Sequence, residues 1–212
     1  MSSIIYREIK RSDYDQIREI INQSFGLYKC VDNGKILDSM LHAYLQSCLA
    51  EQTFHCVAEK DGKVIGVIMG QAKNKYHALA HLTPAISLIW YSLKMNAQAA
   101  LHHCDIDVYK RLHQIYHEFL IGREKEFDGV LTLFAVSEEC RGLGVGKTLL
   151  HKLLDYLKEN GVKHIYLYTD SFCNVGFYES QGFERLSEKG MMITREHRET
   201  TMDVYMYRYT VQ

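Results

Sequence analysis

A glycine-rich turn between a strand-like run and a helix-like run is the feature that most constrains this chain. Residues 130–136 form an apolar run with strand character, and leucines recur at helical spacing from Leu149 to Leu157. Between them lies the segment Arg141-Gly142-Leu143-Gly144-Val145-Gly146-Lys147. The first N–H groups of a helix have no internal partner and carry the positive end of its dipole, and glycine lets an anion approach the backbone closely. The arrangement therefore predicts a phosphate-binding site.

Two common phosphate-binding motifs do not fit this segment. The loop of nucleotide hydrolases reads Gly-x-x-x-x-Gly-Lys-Ser/Thr. Gly146, Lys147 and Thr148 match its end, but Arg141 stands where the first glycine is required. The dinucleotide fingerprint Gly-x-Gly-x-x-Gly, counted from Gly142, would need a glycine where Lys147 stands. Nucleotide hydrolysis and dinucleotide binding are therefore both disfavoured.

A second motif follows another predicted strand, at residues 164–169. Residues 174–183 read Asn-Val-Gly-Phe-Tyr-Glu-Ser-Gln-Gly-Phe. The glycine-rich turn, read from Arg141, also fits the pattern Arg/Gln-x-x-Gly-x-Gly/Ala. In this order and with this spacing, the two motifs resemble those of the GNAT superfamily of N-acetyltransferases.

The resemblance implies an acetyl-CoA site built from both motifs. It assigns the cofactor pyrophosphate to the loop residues Arg141, Gly142, Leu143, Gly144, Val145, Gly146, Lys147 and Thr148. It also implies that Phe134 and Val136 offer backbone groups to pantetheine and to the thioester carbonyl, and that Asn174 contacts the cofactor. A backbone N–H at the thioester oxygen would stabilise the developing oxyanion.

The resemblance further implies direct transfer of the acetyl group to an amine, with no covalent enzyme intermediate. Tyr178 resembles the family tyrosine that protonates the departing CoA thiolate, whereas Phe177 and Phe183 are interpreted as core residues. GNAT enzymes often carry a glutamate on the fourth strand as general base. The corresponding position here is Val130, and residues 130–136 contain no acid, so the base is left unassigned.

The fold implied is an α/β (α+β) GNAT fold, with a central mixed, mostly antiparallel sheet of six to seven strands flanked by helices. Patterns outside the motifs predict a strand over 4–9, helices over 13–25 and 35–51, a hairpin over 54–69, and terminal strands over 185–194 and 202–211. Asp61-Gly62 marks the hairpin turn and Gly26 ends the first helix. No linker or repeat is visible, so residues 1–212 are interpreted as a single N-acetyltransferase domain.

The main departure from the minimal family pattern is a helical insertion, about residues 73–129, before the fourth strand. Residues 85–101 are apolar and rich in alanine, with Pro84 suited to a first helical turn, and residues 105–121 have an apolar face with Asp105 as a possible cap. The insertion is expected to cover the acceptor side of the cleft or to make a subunit contact. A homodimer is therefore an open possibility.

Composition excludes several classes of function. The net charge of the 212-residue chain is −1 with no basic block, so nucleic-acid binding is not indicated. The longest mostly apolar stretch, residues 79–93, is too short and too polar to span a membrane. The six cysteines are scattered without a Cys-x-x-Cys pair, and no signal peptide is visible, so a cytoplasmic protein with reduced thiols is expected.

Histidine pairs raise the question of a metal. His77 and His81, and likewise His113 and His117, have the i, i+4 spacing that can bind a metal from one helix face. No His-Glu-x-x-His motif or third ligand accompanies them, so no metal site is predicted.

The acceptor is not specified by any motif. A small-molecule amine is favoured because no acidic groove for a protein tail is evident, and a protein N-terminus or lysine is the alternative. A non-catalytic acyl-CoA-binding module would keep the glycine-rich loop without turnover, and Tyr178 argues against it.

Overall fold

A single seven-stranded sheet organises the computed structural model, which describes residues 3–102, 107–140 and 142–212. The strands are β1 (Ile5–Arg7), β2 (Phe54–Lys60), β3 (Lys63–Ala72), β4 (Gly129–Val136), β5 (His164–Asp170), β6 (Glu184–Arg195) and β7 (Arg198–Thr210). Their order is β1-β2-β3-β4-β5-β7-β6, and all neighbours are antiparallel except β4 and β5, which are parallel. The predicted mixed, mostly antiparallel sheet is confirmed.

Helices flank the sheet on both faces. Within the described ranges they are α1 (Tyr14–Phe25), α2 (Gly34–Glu51), α3 (Leu82–Leu101), α4 (Asp107–Leu120), α5 (Val145–Glu159) and α6 (Val175–Ser180). Helices α1 to α5 correspond to helices predicted from the sequence, with bounds shifted by a few residues. The predicted Asp105 cap of α4 lies outside the described residues.

Local sequence signals explain the position of the β2–β3 turn and of the end of α1. Asp61 and Gly62 both adopt positive φ, 53° and 76°, as a tight hairpin turn between β2 and β3 requires. Gly26 ends α1 in the left-handed conformation, with φ of 62°. The sequence signals for the turn and the helix end are therefore both confirmed.

Two apolar cores lie on opposite faces of the sheet. Leu149, Leu150 and Leu153 of α5 are fully buried in the core on one face. On the other face, α1 and α2 pack against the central strands, with Ile17 and Ile21 fully buried. The central strands β3 and β4 are thus covered on both sides, and they fix the position of the segments that leave their ends.

The insertion before β4 is helical, as predicted, and its two helices pack on different parts of the protein. Met95 and Ala99 attach α3 to the outside of α2, where they meet Ile36 and Met40. Ile115 places α4 against β6 and β7, on the face opposite α5. None of the helices in the described ranges has the length and apolar content needed to cross a membrane.

Candidate active site

A gap opens in the middle of the sheet where β4 and β5 diverge. The two parallel strands are paired only at their beginnings, Gly129 with Ile165 and Val130 with Tyr166. Beyond Val130, β4 remains paired with β3 as far as Val136. One edge of β4 therefore faces a gap instead of a neighbouring strand, and backbone groups on that edge are not used by the β4–β5 ladder.

The backbone groups of Phe134 and Val136 point towards this gap. The N–H of Ser137 donates to the carbonyl oxygen of Ile65 at 2.9 Å, so the backbone of Ser137 faces β3. Because backbone groups alternate between the two edges of a strand, Ala135 also faces β3, whereas Phe134 and Val136 face the gap. These are the two strand residues to which the sequence assigned contacts with the cofactor.

The glycine-rich loop lies at the end of β4 and leads directly into α5. Gly142 and Gly144 adopt positive φ of 81° and 73°, and a Cβ at either position would meet no atom within 4 Å. Gly144 is the N-cap residue, so the N–H groups of Val145, Gly146 and Lys147 have no acceptor within the helix. The loop thus presents free amides and a helix dipole to open space, which suits a pyrophosphate. Arg141 lies outside the described residues.

Gly146 holds this helix start against the strand that faces the gap. A Cβ at Gly146 would lie 3.3 Å from Cζ of Phe134 and 3.7 Å from Val136. The side chain of Val145 is buried and packs in the α5 core. A side chain at 146 would therefore press on the Phe134 ring, and glycine lets the start of α5 sit close to β4.

Leu143 and Thr148 differ from the other loop residues because their polar groups form hydrogen bonds within the protein. The N–H of Leu143 donates to the Cys140 carbonyl at 3.4 Å, and its side chain is exposed. The N–H and the hydroxyl of Thr148 both donate to the Gly144 carbonyl, at 3.0 and 3.1 Å. Thr148 therefore stabilises the first turn of α5 with the groups that the sequence assigned to the cofactor.

Tyr178 is buried on α6 beside the gap. Its ring centroid lies 6.2 Å from that of Phe134, 5.6 Å from that of Phe183 and 6.1 Å from that of Tyr207. The hydroxyl makes no hydrogen bond within the described part of the chain. Burial raises the pKa of Tyr178 well above its usual value, so the phenol stays protonated at neutral pH and can donate a proton.

Asn174 precedes α6 at its N-cap position. Its side chain makes no capping hydrogen bond to the helix, and the residue is exposed. The side-chain amide is therefore available on the surface at the start of α6. Phe177 contacts Phe134 with ring centroids 5.3 Å apart, and Phe183 is buried, as expected for core residues.

Asp170, at the carboxyl end of β5, is a candidate site residue that the sequence motifs did not identify. Burial raises the pKa of Asp170, and hydrogen bonds from Phe172 and Cys173 partly offset that effect. The Phe172 N–H donates to Oδ1 of Asp170 at 2.8 Å. The charge of Asp170 also contributes to the raised pKa of Tyr178. The alternation of β5, which buries Ile165 and Leu167, was the available signal that Asp170 faces away from the α5 core.

The insertion contributes a side chain to this region. Tyr116 of α4 stacks on Tyr168 of β5 with ring centroids 4.2 Å apart, and the Tyr168 hydroxyl donates to the Tyr116 carbonyl at 2.8 Å. Burial raises the pKa of Tyr116, and so do Asp170 and Cys173. The phenol of Tyr116 therefore lies near the same carboxylate as that of Tyr178.

A cleft of about 370 Å³ opens at the carboxyl ends of β4 and β5. It lies between the end of α1, the segment that follows β4 and the end of β6. Its lining residues are Gln23, Ser24, Phe25, Gly26, Tyr28, Lys29, Ser137, Glu138, Glu139, Phe172 and Arg195. The cleft carries both cationic and carboxylate side chains, and it is large enough for a small molecule.

The histidine pairs have structural contacts. His81 approaches the Leu49 carbonyl with Nδ1 at 3.1 Å, and His113 meets the edge of Tyr109 with ring centroids 4.4 Å apart. Across residues 3–102, 107–140 and 142–212, no three His, Cys, Asp or Glu side chains converge as metal ligands would.

Solved structures share this fold over their full length. Ribosomal-protein-alanine N-acetyltransferase from Brucella melitensis matches with a TM-score of 0.55 at 16% identity, covering 97% of this chain and 99% of that one. The ribosomal-protein-S18-alanine N-acetyltransferase from Escherichia coli matches with a TM-score of 0.54 at 15% identity, covering 99% and 95%. YncA from Salmonella typhimurium, solved with its cofactor acetyl-CoA, matches with a TM-score of 0.56 at 15% identity, covering 100% and 95%. No curated protein sequence matches the chain.

The amino-acid sequence identifies the family to which the chain belongs. The model of the Acetyltransferase (GNAT) family matches residues 14–183, which is most of the chain and includes both motifs. Enzymes of this family transfer an acyl group, and acetyl-CoA is their cosubstrate. With the loop, the diverging strands and Tyr178 arranged around one gap, the chain belongs to the GNAT family and is an acyltransferase that uses acetyl-CoA.

Proposed function

We propose that this enzyme transfers the acetyl group of acetyl-CoA directly to the primary amine of a small molecule. The observation that carries the proposal is the contact of the loop with the gap: Gly146 at the start of α5 packs on Phe134, whose backbone faces the diverging strands. The start of α5, the edge of β4 and the ring of Tyr178 are thus connected through Phe134, which lies near both Gly146 and Tyr178.

In this proposal the cofactor follows that surface. The amides from Gly142 to Lys147, except that of Leu143, hold the pyrophosphate, with Arg141 and Lys147 adding positive charge. Pantetheine runs along the open edge of β4 in place of a neighbouring strand. A backbone N–H from Phe134 or Val136 then stabilises the oxyanion that develops on the thioester carbonyl.

Tyr178 acts as the general acid in this scheme. The attacking amine displaces the thiolate of CoA, and the protonated phenol supplies the proton that this thiolate accepts. The hydroxyl of Tyr178 has no hydrogen-bond partner in the described part of the chain, which supports this role, and the raised pKa keeps the proton on the phenol until the thiolate departs.

Direct transfer is supported by the state of the neighbouring cysteine. A covalent acetyl-enzyme would need a thiolate as nucleophile. Burial raises the pKa of Cys173 to about 12, so this residue is a neutral thiol at physiological pH. The acetyl group therefore passes directly from the cofactor to the amine, with no acetyl-Cys173 intermediate.

Asp170 is our candidate for the missing general base. A protonated amine must lose a proton before or during its attack, and Asp170 is a carboxylate close to Tyr178. Its partly buried position at the end of β5 keeps it beside the opening between the strands. Because burial raises the pKa of Asp170, the carboxylate accepts a proton more readily than an exposed aspartate would.

Asp170→Asn should lower turnover by roughly 10²-fold, as expected for losing one acid–base group. Below the raised pKa of Asp170 the carboxyl is protonated and cannot accept a proton, so wild-type turnover should rise with pH through that pKa. The asparagine variant should lose this acidic limb, while its side-chain oxygen can still accept the Phe172 N–H bond. Turnover measured across acidic pH tests this, and an unchanged profile in the folded variant would contradict the assignment.

The size of the cleft supports a small acceptor. At about 370 Å³ it lies at the lower end of the range for small-molecule sites. Two structural neighbours are named as ribosomal-protein-alanine N-acetyltransferases, so a protein N-terminus is the second candidate. The direct test is release of CoA thiol from acetyl-CoA with a panel of small amines and, in parallel, peptides with free N-termini or lysines. Acetylation of small amines supports the proposal, and acetylation of the peptides alone would overturn it.

We further propose that the enzyme is a homodimer that pairs through α3. Ile86, Ile89, Trp90 and Leu93 form one stripe along this helix, and each is 61–66% exposed. Leu79 and Leu82, just before and at the start of α3, are also exposed. Helix α3 carries a single charged residue, Lys94, whereas helices that lie on membranes are rich in basic residues. A second copy of the chain therefore fits this face better than a lipid surface.

Trp90 is the only tryptophan, so its fluorescence reports on this interface. Dilution should shift the emission of Trp90 to longer wavelength as the dimer separates, in step with the mass measured by sedimentation. Ile89→Asp should yield a folded monomer, because a charge placed in the apolar stripe opposes pairing. Ile121→Asp, at an exposed apolar position outside α3, should remain dimeric. A wild-type monomer at every concentration would contradict the proposal.

Two broader assignments also remain proposals. We propose one domain over residues 1–212, because the sheet joins strands from β1 to β7. We propose a cytoplasmic location, because the five described cysteines are free thiols.

A further inference from the structure

Arg195, the last residue of β6, lies over the candidate acceptor cleft. Its guanidinium carbon is 4.1 Å from the centroid of the Phe172 ring, a stacked cation–π arrangement. Its Nη2 atom fills the space beside Gly26, only 2.7 Å from where a Cβ would lie. Any larger residue at 26 would displace this guanidinium. The surroundings therefore hold one particular position of the Arg195 side chain.

The backbone that carries Arg195 is also held in place. The next residue, Glu196, donates its N–H to the Lys29 carbonyl at 2.7 Å. The Glu196 carboxylate pairs with the Lys29 ammonium at 3.1 Å. The tip of the β6–β7 hairpin is thereby attached to the segment between α1 and α2. The guanidinium is presented to the cleft by a supported backbone.

The guanidinium of Arg195 forms no ion pair with a carboxylate among the described residues. Its Nη1 atom is buried and makes no hydrogen bond, and no carboxylate within these ranges lies in ion-pair contact with it. The Glu196 carboxylate already forms an ion pair with Lys29. The carboxylate of nearby Asp170 accepts hydrogen bonds from Phe172 and Cys173. Partly buried cations are ordinarily paired, because removing a charge from water is costly. A stacked, immobilised and unpaired guanidinium is the geometry of a carboxylate-binding site.

We propose that Arg195 binds a carboxylate of the acceptor, so the acceptors of this enzyme are amino-acid-like molecules that carry both a primary amine and a carboxylate. The inference rests on the proposed function and adds the substrate class. Oδ1 of Asp170 accepts the N–H of Phe172, and the ring of Phe172 stacks on the Arg195 guanidinium, so the carboxylate and the guanidinium lie at the same end of β5. An acceptor with its carboxylate on Arg195 can therefore place its amine towards Asp170 and the thioester.

Charges around the cleft disfavour two other ligands. A polyamine would bring its second cation towards Arg195 and Lys29, which both line the cleft. A phosphate of the cofactor would meet Glu138 and Glu139, which line the side nearest the glycine-rich loop. A single carboxylate at Arg195 satisfies the guanidinium without placing a dianion beside these glutamates.

The test uses pairs of amines that differ only in the carboxylate, such as an amino acid and the amine left by its decarboxylation, together with a dipeptide of that amino acid. For the wild type, kcat/KM should favour the amino acid over the decarboxylated amine. Arg195→Met keeps the apolar stem but removes the charge, and it should raise the KM of the amino acid between about 10-fold and 100-fold. The KM of the decarboxylated amine and that of acetyl-CoA should hardly change. Arg198→Met, three residues further along the same hairpin and exposed, is the matched control and should behave as wild type.

Several results would overturn the inference. One is equal loss with both members of each pair, and another is a raised KM for acetyl-CoA in Arg195→Met. A wild-type preference for the decarboxylated amine would also overturn it, as would a preference for the dipeptide, which would point to a peptide acceptor. If no amine is acetylated, the proposed function fails. The inference about Arg195 can then still be tested by measuring whether the same compounds raise the thermal stability of the enzyme–CoA complex. Stabilisation of wild type, but not of Arg195→Met, by the amino acids supports a carboxylate site, and no stabilisation of wild type excludes it.

Discussion

Gly144→Glu should weaken acetyl-CoA binding by roughly 100-fold, or about 2.7 kcal/mol, in titration calorimetry. Gly144 caps α5, and a Cβ at this position projects into open space above the loop amides. A glutamate there would put a carboxylate where the dianionic pyrophosphate is expected to lie, against the helix dipole that attracts it. The backbone φ of 73° would add strain for any residue with a Cβ.

Two controls separate charge from strain and from stability. Gly144→Gln has the same size and the same strained backbone but no charge, so it should lose much less affinity than the glutamate variant. Gly161→Glu repeats the substitution at the other end of α5, where φ is 69° and the space around a Cβ is also open, and it should bind acetyl-CoA as wild type does. Wild-type affinity in a folded Gly144→Glu variant would show that the pyrophosphate does not lie on this loop.

Tyr178→Phe should lower turnover by roughly 10²-fold while acetyl-CoA affinity changes little. Phenylalanine keeps the ring and its contacts with Phe134, Phe183 and Tyr207, and the hydroxyl that it removes has no hydrogen-bond partner in the described part of the chain. Folding should therefore be preserved, and the loss should appear in kcat. The thiol of CoA has a pKa near that of an ordinary thiol, about 8.5, so some activity should remain without the acid.

Tyr207→Phe is the matched control for Tyr178→Phe. Tyr207 is fully buried in the same aromatic cluster, but its hydroxyl donates to Glu179 at 2.8 Å and accepts from Arg185 at 3.0 Å. Its loss should lower stability and leave turnover nearly unchanged. Full turnover in Tyr178→Phe, or an equal deficit in both variants, would mean that Tyr178 acts only through packing.

The parts of the fold that were predicted are those in which local sequence determines local structure. Asp61-Gly62 and Gly26 mark a turn and a helix end because few other residues adopt positive φ readily. The leucines of α5 recur on one face, and that face is the one buried against the sheet. The strand bounds shifted by a few residues, since the ends of strands depend on pairing with neighbours.

The candidate cofactor residues could be proposed from the sequence for a similar reason. They lie in one continuous segment, where strand, loop and helix start follow one another, and Gly146 packs on Phe134. The free edge of β4 could not be read from the sequence, because it depends on how far β5 diverges from its neighbour.

The acceptor side was not predictable. Asp170 and Arg195 come from the ends of different strands, and only the folded sheet brings them together: Asp170 accepts the N–H of Phe172, whose ring stacks on Arg195. Neither residue stands in a recognisable motif. Likewise, apolar residues surround much of α3, so its pattern predicted a helix but did not indicate that Ile86 and Trp90 would face solvent.

The most direct test of the whole account is amide hydrogen exchange of the wild-type enzyme with and without CoA. Binding should slow exchange at the amides of Phe134 and Val136 and at those from Gly142 to Lys147 other than Leu143, because these groups would donate to the cofactor. The amides of α3 should be unaffected at a concentration where the oligomeric state is constant. Protection confined to other segments, with the loop and the open edge of β4 unchanged, would contradict the proposed path of acetyl-CoA.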